Sequence, residues 1–402
     1  MNELEQKILD YTVTHWQKES TGISGINIAG AFSIQHEIVL SVFDELEKQE
    51  KGTVRRDVKL YQISISQLDD QPKVGEPEEV NTHIFFPSKD VLTESFYKGN
   101  FHRLNTPEYK ARLLKGYSQI HLLYFENEVL KRYLDRREIY DVENTVVGGH
   151  IRLTYEYMTA LSDEEFDKVA FPTIRFGKRR LANGNVAITV ILHDLSELPE
   201  KDQAYWYSHE IEEPQFAPKD SDFEIFFRRN FEAEFLDDND PLQEVINEIV
   251  EINALVGNNG LFGITSNPYL SYPVVNTYKS FCDSCSELYK LIGSDSINEK
   301  SVKSLLVNNF GFSQQDFVHQ ESKRPIGKLD LFKRLCSKIN CEHLFETIEE
   351  IKSHRISADH KVVSPKITEQ NFIAEYRQIL HKLKNDLSLF RQQIMKLGQH
   401  QK

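Results

Sequence analysis

The chain has 402 residues, 40% of them hydrophobic and 27% charged, with a formal net charge of −14. That composition allows packed cores and excludes wholesale disorder, and the length predicts about two to four domains. No run approaches the ~18 apolar residues of a membrane span. The start, Met1-Asn-Glu-Leu-Glu-Gln-Lys7, has no basic region followed by an apolar core, so a soluble, cytoplasmic protein without membrane contact is expected.

Residues 1–66 have the pattern of a winged helix-turn-helix. Leu4, Ile8, Leu9, Tyr11 and Val13 mark a first helix, broken by Gly22 and Gly25, and Ile26 to Phe32 forms a short second one. Ser33 stands where it would N-cap a third helix, Ile34 to Glu47, with Ile38, Val42 and Leu46 at helical spacing. Thr53 to Ile65 reads as the wing, and its Arg55, Arg56 and Lys59 are the candidate nucleic-acid contacts. The third helix is acidic, with Glu37, Asp44, Glu45 and Glu47, so a DNA contact and a protein contact both stand open for this module.

Residues 67–80 carry two prolines and five acids and read as a polar linker. A mixed α+β domain with a sensor or regulatory role is expected over 81–271. Pro107 to Asp135 should be helical, and Thr173–Leu181 with Asn185–Leu192 should form a hairpin about Asn183-Gly184, both of which tolerate positive φ. Arg175, Lys178, Arg179 and Arg180 on its first arm read as a solvated edge. The chain contains no phosphate loop, dinucleotide fingerprint, nucleophile elbow or His-Glu-x-x-His helix, and no cofactor is expected.

From 272 onward the pattern is helical. Cys282 and Cys285 lie in one amphipathic helix without a glycine-rich knuckle, and with Cys336 and Cys341 they read as reduced core thiols rather than zinc ligands. Two short helices are expected over 328–339 and 341–352. In the last helix Tyr376, Leu380, Leu383, Leu387, Phe390, Ile394 and Leu397 make a heptad seam, open to use inside a bundle or against a second copy. Residues 272–402 hold 20 Lys+Arg against 15 Asp+Glu, while 67–271 hold 21 against 37. Cationic surface is therefore concentrated at the C-terminal end, where a polyanion would bind first.

Within that region stands His354-Arg355-Ile-Ser-Ala-Asp359-His360-Lys361. The arginine followed by histidine five positions on, in helical surroundings, resembles the Arg-x(4 to 6)-His motif of the HEPN superfamily. The resemblance covers the last third of the chain. It implies a helical bundle, pairing of two copies, and metal-independent RNA cleavage in stress response or anti-phage defence. By that resemblance His360 moves protons, Arg355 holds the phosphate, Asp359 or His354 orients them, and Lys361 adds a nucleic-acid contact. Five residues on a regular helix span about 500°, leaving the two side chains some 140° apart. Either one of them lies outside ideal helix, or the site is shared between two copies.

The expected fold class is thus multidomain α+β, with an N-terminal winged helix, a mixed α/β middle domain and a C-terminal all-α HEPN-like bundle. The expected partner is RNA, as a homodimer. The rival reading is a non-catalytic winged-helix regulator or sensor with a dimerising helical tail.

Overall fold

The structure is a computed structural model that describes residues 1–62, 65–68, 71–74, 78–99, 106–162, 171–236, 240–257, 260–320, 324–360 and 371–399, with 62–78, 357–360 and 398–399 described for the backbone alone. It is an α+β protein of two compact units. The first comprises 1–123, 169–172 and 190–208, and the second 124–168, 173–189 and 209–402. Among the described residues no single helix is long and apolar enough to cross a membrane.

In the first unit, α1 (Glu3–Glu19) starts from a capping box in which Asn2 and Glu5 satisfy each other's backbone donors. After the short strand β1 (Ile23–Ser24) come α2 (Gly25–Phe32) and α3 (His36–Lys48). Ser33 does not cap α3. It ends α2 in the left-handed region at φ 53°, and the N-cap of α3 is Gln35, which makes no side-chain cap bond. Strand β2 (Gly52–Gln62) pairs antiparallel with β5 (Glu78–Pro87), and β1 flanks β5 on its other edge. Ile8, Leu9, Ile28, Val39, Phe43 and Leu46 pack against this sheet, with the Phe43 and Phe85 rings stacked at 5.1 Å.

The stretch expected as a linker is built differently. Strands β3 (Ile65–Leu68) and β4 (Gln71–Val74) form a ribbon, and β5 begins at Glu78, so the polar segment leads into the strand that pairs with β2. Main-chain pairing needs no apolar side chains, which is why composition alone missed it. The unit also continues past the expected boundary through α4 (Lys89–Lys98) and α5 (Glu108–Leu114), with the Trp16 indole donating to Leu113 O at 2.7 Å. The helix expected from Pro107 to Asp135 is interrupted by a strand, β6 (Leu122–Glu126).

The second unit holds most of a five-stranded sheet in the order β6-β10-β9-β8-β7, where β7 is Tyr140–Asn144, β8 Gly148–Leu153, β9 Ile174–Arg180 and β10 Val186–Ile191. The β9–β10 turn is the expected hairpin, with Gly184 at φ +83°. Because β9 lies between β8 and β10, its basic residues are not on a sheet edge. Lys178 is only 8% exposed, a correction to the solvated-edge reading.

Seven longer helices complete this unit: α6 (Ser221–Phe231), α7 (Pro241–Val256), α8 (Tyr278–Ile292), α9 (Glu299–Phe310), α10 (Lys328–Lys338), α11 (Glu342–His360) and α12 (Phe372–Gln399). One apolar core joins Val146 and Val147 of the β7–β8 turn and Phe226 of α6 to the helices from Leu242 to Ile394, so the helices before and after 272 share one core. The seam of α12 is spent inside the chain: Tyr376, Leu380, Leu383, Leu387 and Phe390 are fully buried and Ile394 nearly so. Arg391 of α12 holds Glu248 of α7 at 2.7 Å, and Thr347 of α11 donates to Asp386 of α12 at 2.7 Å. A second copy cannot use these same residues as its contact.

Candidate functional site

The C-terminal end of α11 carries the residues of interest. Leu344, Ile348 and Ile351 recur at helical spacing and are fully buried, which fixes the rotation of the helix and sets the face on which its last turns continue. His354 and Arg355 extend that stripe toward the helix end, while Ile356 turns outward and is 50% exposed. The helix continues unbroken through His360. No departure from helix separates the two motif positions, so they stand about 140° apart around one axis.

Arg355 is half-buried, with its guanidinium carbon 5.1 Å from the centroid of the Tyr289 ring on α8. Tyr289 is itself 3% exposed. Its ring is held against the backbone of Gly293, the C-cap of α8, where an added Cβ would collide with it. Gly293 is needed for space, since its φ of −87° suits any residue. Glycine therefore seats the tyrosine, and the tyrosine seats the arginine. Neither Tyr289 nor Gly293 stands out in the sequence, because their relation to Arg355 spans more than sixty positions; an aromatic on the buried face of α8 was the sole local signal.

Among the described residues Arg355 has no carboxylate partner, in a protein where arginines commonly have one. Arg56, Arg112, Arg152, Arg377 and Arg391 each pair with an Asp or Glu. A planar cation backed by an aromatic face keeps its outward donors for an anion. His354 serves differently. Its ring makes edge contacts with Phe281 at 4.8 Å and Tyr278 at 6.4 Å, so it packs as an aromatic body between α11 and α8. The side chains of Asp359 and His360, and all of Lys361, lie outside the described residues.

The cations of β2, expected as nucleic-acid contacts, are largely committed. The ladder between β2 and β5 shifts register between Arg55 and Val58, with Asp57 at φ 54°, and this bulge directs Arg56 back to α3. There Arg56 holds Asp44 at 2.7 Å and Glu47 at 2.6 Å, and these pairs raise its pKa. Glu47 also accepts from Val54 N at 2.7 Å, and its own pKa is lowered by Arg56 and then by that backbone bond. Lys59 pairs with Glu79 at 2.7 Å. Arg55 is exposed and has no ion pair among the described residues. One free cation beside an acidic helix is little with which to hold a polyanion.

The four cysteines are buried and unpaired. Burial raises the thiol pKa of all four, Cys341 to about 11, which keeps them protonated. No protein-family model, curated protein or solved structure matches the chain.

Proposed function

We propose that the protein is a metal-independent endoribonuclease of HEPN type acting in stress response or anti-phage defence, with Arg355 as the phosphate ligand and His360 as the proton carrier. What supports this reading is the state of Arg355: a half-buried guanidinium, seated on Tyr289 and without a carboxylate partner among the described residues. RNA supplies its own nucleophile. His360 of one copy removes the 2′-hydroxyl proton, the 2′-oxygen attacks phosphorus, and the 5′-oxygen leaves as it takes up a proton. A 2′,3′-cyclic phosphate and a 5′-hydroxyl remain. Arg355 offers its donors to the phosphoryl oxygens as their charge grows.

Since the two positions diverge by about 140° on an unbroken helix, the reading places one phosphodiester between Arg355 of one copy and His360 of a second. The contact between copies must then use a surface other than the α12 seam. The test is cleavage of defined RNAs in EDTA by the full chain. Arg355→Ala should lose roughly 100-fold or more, and His360→Ala should be inactive. Mixing the two variants should restore part of the activity, because each mixed pair regains one intact site. Intact RNA with wild-type protein, or variants indistinguishable from it, rejects the reading.

A second reading has its own observation. The order α1-β1-α2-α3-β2-β5 fits the winged-helix reading, and the β2 cations Arg56 and Lys59 are neutralised by Asp44, Glu47 and Glu79. This favours a regulator whose winged helix contacts protein rather than DNA.

A further inference from the structure

The second unit contains a cavity of about 440 Å³, bounded by β9, β10, Tyr272 and the first turns of α6 and α12. Two of its lining residues are buried and carry a polar side-chain atom that no described residue hydrogen-bonds. Lys178 is 8% exposed and stands over the Tyr272 ring, its Nζ 5.1 Å from the centroid, with no hydrogen bond or ion pair to any described residue. Asn127, also 8% exposed, donates its amide to Val274 O at 2.9 Å, while its Oδ1 has no partner. Buried polar groups are seldom left in this condition, because each loses its hydration with nothing in return.

The nearby carboxylates do not relieve the lysine. Asp240 is filled by the N–H groups of Val146, Leu242 and Gln243 and by the Tyr272 hydroxyl at 2.8 Å. Asp222 is held by Arg377 at 2.7 Å, with Arg180 at 4.0 Å. The wall thus offers an unused cationic donor and an unused neutral acceptor, with acids already occupied. Burial lowers the Lys178 pKa to about 7, with Asp240 and Asp222 opposing the shift and Arg377 adding to it. An arriving anion would be met by a lysine ready to take up a proton.

We propose that this cavity binds a small organic anion bearing a hydroxyl or amino donor, the anionic group resting on Lys178 and the donor on Asn127 Oδ1. The volume suits a metabolite of sugar-phosphate size. A phosphate and a carboxylate share this chemistry, and two probes separate them: glycerol 3-phosphate and malate.

At 10 mM one probe should raise the melting temperature of the full chain by several degrees and bind one per chain by calorimetry. More protons should be taken up at pH 8 than at pH 6. Lys178→Met, which fills the same space without a charge, should fold and lose the shift. Asn127→Leu should weaken binding of the same probe tenfold or more, and it serves where Lys178→Met fails to fold. No shift from either probe, or an equal shift in wild type and in the folded variants, overturns the proposal.

Discussion

Arg355 rests on the face of Tyr289, 5.1 Å from the ring centroid, so an aromatic rather than a carboxylate sets the position of this cation. The ring should matter and its hydroxyl should not. Tyr289→Phe is expected to match wild type in RNA affinity and cleavage, whereas Tyr289→Leu keeps the charge yet loses the seat, worth about 1 kcal/mol in affinity. Filter binding at fixed salt measures both. Equal loss in the two variants would show that the ring is not what holds the arginine.

The α12 seam yields the opposite of what a dimer seam would give. Leu387 is fully buried inside its own chain. Leu387→Glu should therefore unfold the second unit, at a cost of roughly 4 kcal/mol or more, instead of producing folded monomers. Circular dichroism melts and gel filtration decide. A stable, monomeric Leu387→Glu protein would contradict the packing described.

Lys178 makes stability depend on pH in a calculable direction. Its folded pKa is about 7 and its ordinary value is 10.5. Below both values the ammonium is present in either state and its burial cost is fully felt. Between them the unfolded chain binds more protons than the folded one, so stability rises with pH, by at most about 1.4 kcal/mol per unit. The difference between wild type and Lys178→Met, measured by urea melts from pH 6 to pH 10, should climb across that window. A flat difference would mean that the lysine is solvated in the folded state.

The ion pairs that hold Arg56 and Lys59 predict weak DNA binding. Wild-type protein should show only salt-sensitive, sequence-independent affinity, and Asp44→Asn should strengthen it several-fold by releasing one side of the Arg56 clamp. Mobility shifts at two salt concentrations test this. A sequence-specific, salt-tolerant complex of the wild type would restore the DNA reading of the module.

Local features were legible from the residues, and long-range pairings were not. The hairpin at Asn183-Gly184 and the Tyr376–Leu397 seam follow from turn chemistry and side-chain period. The strand β5 hid inside an acidic, proline-bearing stretch because its ladder with β2 uses the main chain. Helix α11 was expected to end near Lys352, since Ser353, His354 and Ser357 favour helix only weakly. Ile351 packs into the core and the helix runs on through His360. At the candidate sites the residue types could be read, while their surroundings could not. Lys178 lies over Tyr272, and Arg355 over Tyr289, across separations that no window of sequence spans.

The placing of α12 has a consequence for the chain during its synthesis. Val245, Ile249 and Ile252 of α7 belong to the same core as Leu387, Phe390 and Ile394 of α12. Arg391 reaches back 143 positions to Glu248. At ordinary elongation rates of about 5 to 20 residues per second, α7 waits on the order of 10 to 30 s for its partner. During that interval its apolar face is exposed to water, to other nascent chains and to chaperones. Helix α11 gains its contact with α12, the Thr347–Asp386 hydrogen bond included, only when the last helix docks. A fragment that omits α7 would leave α12 without the surface it covers, and one that ends before α12 would leave that face of α7 open to water.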